Sequence, residues 1–384
     1  MNASRKTRGR SLARLAMALA TGVALLGATA VRADPQGDRY QQHNLVSDGG
    51  VTADHPDANL VNAWGVAFNP FGPVWIADNG AGVSTLYDGN GVAQPLPPQG
   101  PLIVTIPPAA GADSANPTGV VFNGSALFVV TGADGKSGAA KFIFATEDGV
   151  IAGWSPTVDA TNAILVKDNS PSGAVYKGLT LSAGGNGALL YATDFHNGKI
   201  DVWDGNFMPV ALPAGAFVDR GIPSGFGPFG IQAINGNIYV TYAKQDADRH
   251  DDVKGKGLGF VDVFDPNGNL IRRVVTRGRL NAPWGLALAP AGFGELGDSL
   301  LVGNFGDGHI NAYDLATGEF VSEMKGSDGR PIAIDGLWGL AFGNGFLNQP
   351  VNTLFFTAGP ADEEHGLYGR LDLIAHQGRG NGRD

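Results

Sequence analysis

Six times along the chain a glycine opens a short apolar run. The copies are Trp64-Gly65-Val66-Ala67-Phe68, Thr118-Gly119-Val120-Val121-Phe122, Lys177-Gly178-Leu179-Thr180-Leu181, Phe229-Gly230-Ile231-Gln232-Ala233, Trp284-Gly285-Leu286-Ala287-Leu288 and Trp338-Gly339-Leu340-Ala341-Phe342. Successive glycines lie 54, 59, 52, 55 and 54 residues apart. A period of that size, sustained over most of a 384-residue chain, restricts the fold to an array of one supersecondary unit repeated around or along an axis.

The unit can be read strand by strand. After each glycine run comes a second strand, ending at Asp78, Thr131, Asp194, Tyr242, Asn304 and Ala358. A third, alternating strand follows, as in VSTLYDG, KFIFATEDG, KIDVWDG, FVDVFDPNG and INAYDLATG, and closes on Asp/Gly or Asn/Gly turn chemistry. A short fourth run precedes the next glycine, at 102–107, 164–168, 216–219, 271–275 and 320–324. Four antiparallel strands per unit and six units predict an all-β, six-bladed β-propeller. The sixth unit has no fourth strand of its own. The N-terminal run Tyr40–Ser47, YQQHNLVS, is therefore expected to pair as the outer strand of the last blade, which closes the ring and removes its open edge.

Residues 1–33 read as a signal peptide. Arg5, Lys6, Arg8, Arg10 and Arg14 precede an Ala/Leu-rich stretch over 15–31 and a small-residue site at Val31-Arg32-Ala33. The domain is expected over 34–373, with a flexible tail at 374–384, and the export signal implies a periplasmic or secreted protein without a stable membrane span once the leader is removed. Without the leader, 20 basic residues face 36 acidic ones, a net charge of −16, so nucleic acid is not an expected partner. The chain has no Cys, and its stability must come from a core rather than from staples. A monomer is expected.

In a propeller, the loops entering the innermost strands and those after the second strands gather on one face, where a ligand meets all the blades. On that top face the sequence places His196, His250, His309 and His365 in loops of blades three to six, and His55 in the entry loop of blade one. Asp78, Asp194 and Asn304 share one repeat position and are candidate ligands for a divalent cation, Ca²⁺ or Zn²⁺, with His196 or His309 as catalytic base. Trp64, Lys177, Phe229, Trp284 and Trp338, each just before its blade's glycine, are candidate ligand-binding residues together with His250 and His365. Both sets have a structural reading as well. The aromatics can pack between blades, and Asp or Asn at a strand end bonds its own turn. The long loop at 243–259, AKQDADRHDDVKGKGLG, reads as a solvated flap or, alternatively, a lid; its acids lack EF-hand spacing. No dinucleotide or phosphate loop and no Gly-x-Ser-x-Gly elbow is present.

The stretches NLVSDGG, DANLVNAWGVAFNPFGPVWIADNGAGVSTLYDG, LNAPWGLALAP and GNFGDGHINAYD resemble a family of exported bacterial propellers of unassigned function, some of which carry a C-terminal PEP-CTERM sorting tail. This chain departs from that pattern by ending in GRGNGRD. At superfamily level the repeat is similar to NHL propellers and to lactonases of the gluconolactonase and paraoxonase type. That similarity implies a divalent cation at the channel mouth, held by a Glu of the first blade with Asn and Asp from others. No Glu precedes Glu147 here, so that ligand has no counterpart, and Asp78, Asp194 and Asn304 are candidate substitutes by analogy of fold. Two functions follow: an exported module that binds a small molecule, glycan or protein through its top-face loops, or a metal-dependent hydrolase of the lactonase or esterase kind.

Overall fold

The computed structural model describes residues 37–374, apart from 96, 97, 99, 185 and 186. The leader and the tail from 375 onward lie outside the described residues. Six antiparallel sheets, one per glycine run, form a six-bladed β-propeller. Blade one is Ala63–Phe68, Val74–Asp78, Val83–Tyr87 and Val104–Thr105; blade four is Phe226–Ile234, Asn237–Lys244, Gly259–Phe264 and Leu270–Thr276. Blade five is Pro283–Leu288, Ser299–Asn304, Ile310–Asp314 and Phe320–Glu323.

Blade six closes as its missing strand required. Leu337–Phe342, Thr353–Ala358 and Leu367–Leu373 are followed outward by Tyr40–Ser47, which pairs antiparallel with Leu367–Leu373 from Tyr40↔Leu373 to Ser47↔Leu367. Tyr40 also ties this blade to its neighbour, donating its hydroxyl to the Phe293 carbonyl at 2.8 Å.

Two blades differ from the sequence expectation. In blade two the inner strand Pro117–Phe122 pairs with Phe142–Thr146, followed by Val150–Trp154 and Ile164–Asp168. The run ending at Thr131, expected as the second strand, instead forms a separate hairpin, Val129–Thr131 with Ser137–Ala139. The apolar residues of both runs suit a strand equally well, and what decides between them is packing: Phe142 is 1% exposed and stacks on Trp75 of blade one at 4.0 Å, whereas Val129 is half exposed. In blade three the sheet has three strands, Tyr176–Gly184, Gly187–Asp194 and Lys199–Trp203. The run at 216–219 is a turn there, with Phe217 at positive φ and its side chain packed against Tyr191 and Phe264.

The repeated glycine is explained by contacts between blades. A Cβ at Gly230 would stand 2.0 Å from the Trp284 carbonyl oxygen; at Gly285, 2.5 Å from that of Trp338; and at Gly339, 2.7 Å from that of Trp64. Each inner strand thus lays its glycine against the backbone of the next blade, and Gly339 meeting Trp64 completes the circle. No side chain fits at that distance. Below this level the inner strands line an axial cavity of about 500 Å³ that opens on the opposite face, with Val66, Phe68, Val120, Leu286, Leu340 and Phe342 among its walls.

Candidate functional site

Two rings of equivalent positions close the axis at the top face. The first is the residue before each glycine: Trp64, Thr118, Lys177, Phe229, Trp284 and Trp338. The second, aligned on strand pairing, lies at the axial end of each second strand: Asn79, Glu147, Phe195, Ala243, Phe305 and Gly359. Trp64, Phe195, Phe229, Trp284, Phe305 and Trp338 pack into one buried cluster. Phe305 stacks on Trp338 at 3.9 Å, and Trp338 on Trp64 at 3.6 Å. The aromatics therefore pack across the axis, as a floor, rather than between the walls of adjacent blades.

Within this floor stands one cation. Lys177 is 2% exposed, and its ammonium lies 5.2 Å from the Trp64 ring centroid. It pairs with Glu147 Oε1 in a short contact and with Asp251 Oδ1 at 3.1 Å. Burial alone would pull its pKa down, but the two carboxylates outweigh burial and hold it above the ordinary lysine value. Trp284 Nε1 donates to the Lys177 carbonyl at 2.8 Å, which fixes the backbone beneath the side chain. A polar chain continues from Glu147: Asn79 Nδ2 donates to Glu147 Oε2 at 2.8 Å, and Asn62 Nδ2 donates both to Asn79 Oδ1 at 3.1 Å and to Glu363 Oε2 at 2.8 Å.

The long loop of blade four is docked over this centre, unlike the solvated flap the sequence suggested. Gly255 N donates to Asn281 Oδ1, Gly257 N to the Leu280 carbonyl, and Asp251 reaches Lys177. His250 Nδ1 lies 2.9 Å from Asp251 Oδ1; that bond raises the histidine's pKa and, with Lys177, holds Asp251 far below the usual carboxylate range. Glu147, His250 and Asp251 bring three donor atoms within 4.8 Å of one another. Burial pushes the Glu363 carboxyl up against the opposing bond from Asn62. It lifts Asp252 to about 7, where Lys177 opposes the shift and Glu363 adds to it.

Asp252 gives a pH dependence of definite sign. A carboxyl raised above its unfolded value keeps its proton longer in the folded protein, so its penalty is absent below about pH 4 and complete above about pH 7. Asp252→Asn is expected to melt like the wild type at pH 4 and above it at pH 8. Thermal melts of the pair across that range check this, and parallel curves would contradict it.

The remaining sequence candidates lie apart from the centre. Asp194 is buried and accepts bonds from Asn197 N and Asn197 Nδ2 in its own turn and from Val175 N just before the inner strand of the same blade. Asn304 donates to the Arg279 carbonyl and to Asp307 Oδ1. Asp78 is fully buried, and burial pushes its carboxyl well above the ordinary range. No hydrogen bond joins any two of the three. His309 faces Glu323 on the outer strand of its own blade at 3.1 Å, His365 faces Asp48 at 3.0 Å, and His196 is half-buried beside Gly173. Of the sequence candidates, Trp64, Lys177, Phe229, Trp284, Trp338 and His250 meet at the axis.

Sequence reasoning missed Glu147 and Asp251. Glu147 was hidden by the misplaced second strand of blade two, and the signal that could have found it is the 59-residue interval between Gly119 and Gly178, the longest of the five. That excess marks an insertion, and removing it moves Phe142–Thr146 into the second-strand slot with Glu147 at the axis.

The mimivirus protein R648, described as uncharacterized, is 35% identical over 338 residues, 85% of this chain and 78% of its own. A second from Acanthamoeba polyphaga mimivirus, L690, also uncharacterized, is 32% identical over 343 residues, 86% of this chain and 85% of its own. The chain belongs to the family of these mimivirus proteins. No family model matches the sequence. Among solved structures, a protein of unknown function from Bacteroides thetaiotaomicron superposes with a TM-score of 0.53 at 10% identity, over 88% of this chain and 76% of its own. A streptogramin B lyase does so at 0.50 and 12%, covering 88% of this chain and 99% of its own, and a glucose dehydrogenase at 0.50 and 14%, covering 87% and 99%. These likenesses share the propeller and nothing finer. This chain therefore shares its fold with proteins described as a lyase and a dehydrogenase, whose chemistries differ from one another.

Proposed function

We propose that the protein is an exported binding module that holds a small molecule on its axial face, with the blade-four loop as its lid and Lys177 as the group that recognises an acid on the ligand. One observation carries this reading. The propeller body gives the buried ammonium a single carboxylate, Glu147, and the second comes from Asp251, which is 66% exposed on a loop. A buried ion pair is a weak stabiliser, so packing gives no reason to place a lysine where aromatic rings from five blades would otherwise seal the axis. A ligand site does give one: an apolar, aromatic cup with a few fixed polar groups. Asp251 stands where a ligand carboxylate would bind once the lid lifts. The export assignment rests on the leader-like segment before residue 34.

A panel of small carboxylates screened by thermal shift tests the reading. A ligand at about a hundred times its Kd is expected to stabilise the wild type by about 2.7 kcal/mol and to leave Lys177→Met unmoved. An equal response from both proteins would remove Lys177 from the site.

The metal-dependent hydrolase is the second reading, favoured by the grouping of Glu147, His250 and Asp251. Oxygen and imidazole donors suit a divalent cation. Lys177 Nζ already bonds both carboxylates, so a metal here requires the lysine to withdraw. Elemental analysis finding one tightly held divalent cation per chain would move the conclusion to this reading.

A further inference from the structure

The lid carries two opposite charges three residues apart, and each is docked on the body. Asp251 meets the Lys177 ammonium, and the Lys254 ammonium lies 4.6 Å from the Phe305 ring centroid while pairing with Asp362 at 3.3 Å. One face of Phe305 is covered by Trp338, and the other receives this ammonium, the arrangement in which an aromatic quadrupole attracts a cation. Lys254 is nearly half exposed, so the position it fills can be vacated.

Among the described residues, two groups facing Lys177 and Glu363 have no hydrogen-bond partner. Asp252 Oδ2 is buried with no donor, and Trp64 Nε1, on a side chain 1% exposed, has no acceptor. Glu363 accepts one bond, from Asn62. Unpaired buried polar atoms are costly unless something supplies the missing half. The two atoms are of opposite kinds, a carboxylate oxygen whose charge a cation would offset and a donor that an acceptor would satisfy. A purely anionic ligand would leave Asp252 and Glu363 facing added negative charge, and a purely cationic one would leave Lys177 without a replacement for Asp251.

We infer that the ligand is a small zwitterion of amino-acid or betaine type, its carboxylate replacing Asp251 at Lys177 and its ammonium replacing Lys254 against Phe305, Asp252 and Glu363. This rests on the ligand site proposed above. In the closed lid, Asp251 and Lys254 serve as the ligand's stand-ins.

Titration calorimetry with three matched probes tests it: glycine betaine, 3,3-dimethylbutanoate, in which carbon replaces the quaternary nitrogen, and choline, which lacks the acid. Betaine is expected to bind about tenfold more tightly than either of the others, the scale of one desolvated cation–π contact. Glu363→Gln should weaken betaine while leaving 3,3-dimethylbutanoate no weaker, and Lys254→Met, which removes the competing ammonium, should tighten betaine. Equal affinity for betaine and 3,3-dimethylbutanoate, both lost in Lys177→Met, would keep the ligand site and overturn the zwitterion. Choline binding as well as betaine, or Lys254→Met weakening betaine, would also overturn it. No binding of any probe would count against both readings.

Discussion

Deletion of Tyr40–Ser47 is expected to abolish cooperative unfolding of the whole ring. The segment supplies the outer strand of blade six, and without it Leu367–Leu373 becomes a bare edge. Tyr40, Leu45 and Val46 leave the core with it, each at 2% exposure or less. At roughly 1.5–3 kcal/mol for each of the three buried side chains, the apolar loss alone is about 4.5–9 kcal/mol, comparable to the whole stability of an ordinary domain. Tyr40 N bonds the Lys325 carbonyl and its hydroxyl bonds the Phe293 carbonyl, so blade five loosens too. The truncated chain should show a broad transition in far-UV circular dichroism and should aggregate through the exposed edge. Grafting the eight residues after position 374 should restore a single transition. A truncated chain that melts at the same midpoint and with the same slope as the full one would show that ring closure does not depend on this strand.

The second large effect is an asymmetry at Lys177. Glu147→Gln leaves the ammonium in an aromatic cup with only the lid's Asp251 for a partner, and breaking a buried pair from that side costs about 3–5 kcal/mol. Lys177→Met removes the charge and fills the same volume with an apolar chain. Its orphaned partners are better placed, because Glu147 keeps its bond from Asn79 and Asp251 reaches water. Lys177→Met should therefore cost much less than Glu147→Gln, and the double variant should recover most of what the glutamate change lost. Urea unfolding of all four proteins measures the coupling. Equal, additive losses would mean that Lys177 and Glu147 do not act as a pair. A stable Lys177→Met that no longer binds ligand would mark the lysine as kept for recognition rather than for stability.

In the second ring, blades three to six contribute Phe195, Ala243, Phe305 and Gly359, while blades one and two contribute Asn79 and Glu147, so that ring is apolar on one side and polar on the other. Lys177 of blade three stands at the seam. A repeat protein can build such a boundary cheaply, since each blade offers one residue per ring and substitutions in one blade leave the others in place.

The sequence by itself determined the architecture. Six glycine-opened runs at a near-constant spacing required a ring of like sheets, and the absent sixth outer strand required Tyr40–Ser47 to supply it, because strand periodicity and unpaired edges are properties of short segments. The residues before the glycines could also be named in advance, Lys177 and the tryptophans among them. The register of blade two did not follow from strand propensity, because two apolar runs competed for one slot; the long Gly119–Gly178 interval marks an insertion, and the stacking of Phe142 on Trp75 shows which run fills the slot. The centre of the site could not be named in advance. Lys177 meets Glu147 thirty residues before it and Asp251 seventy-four residues after it, on different blades, and no periodicity within a strand reports which charges the closing of a ring will bring together.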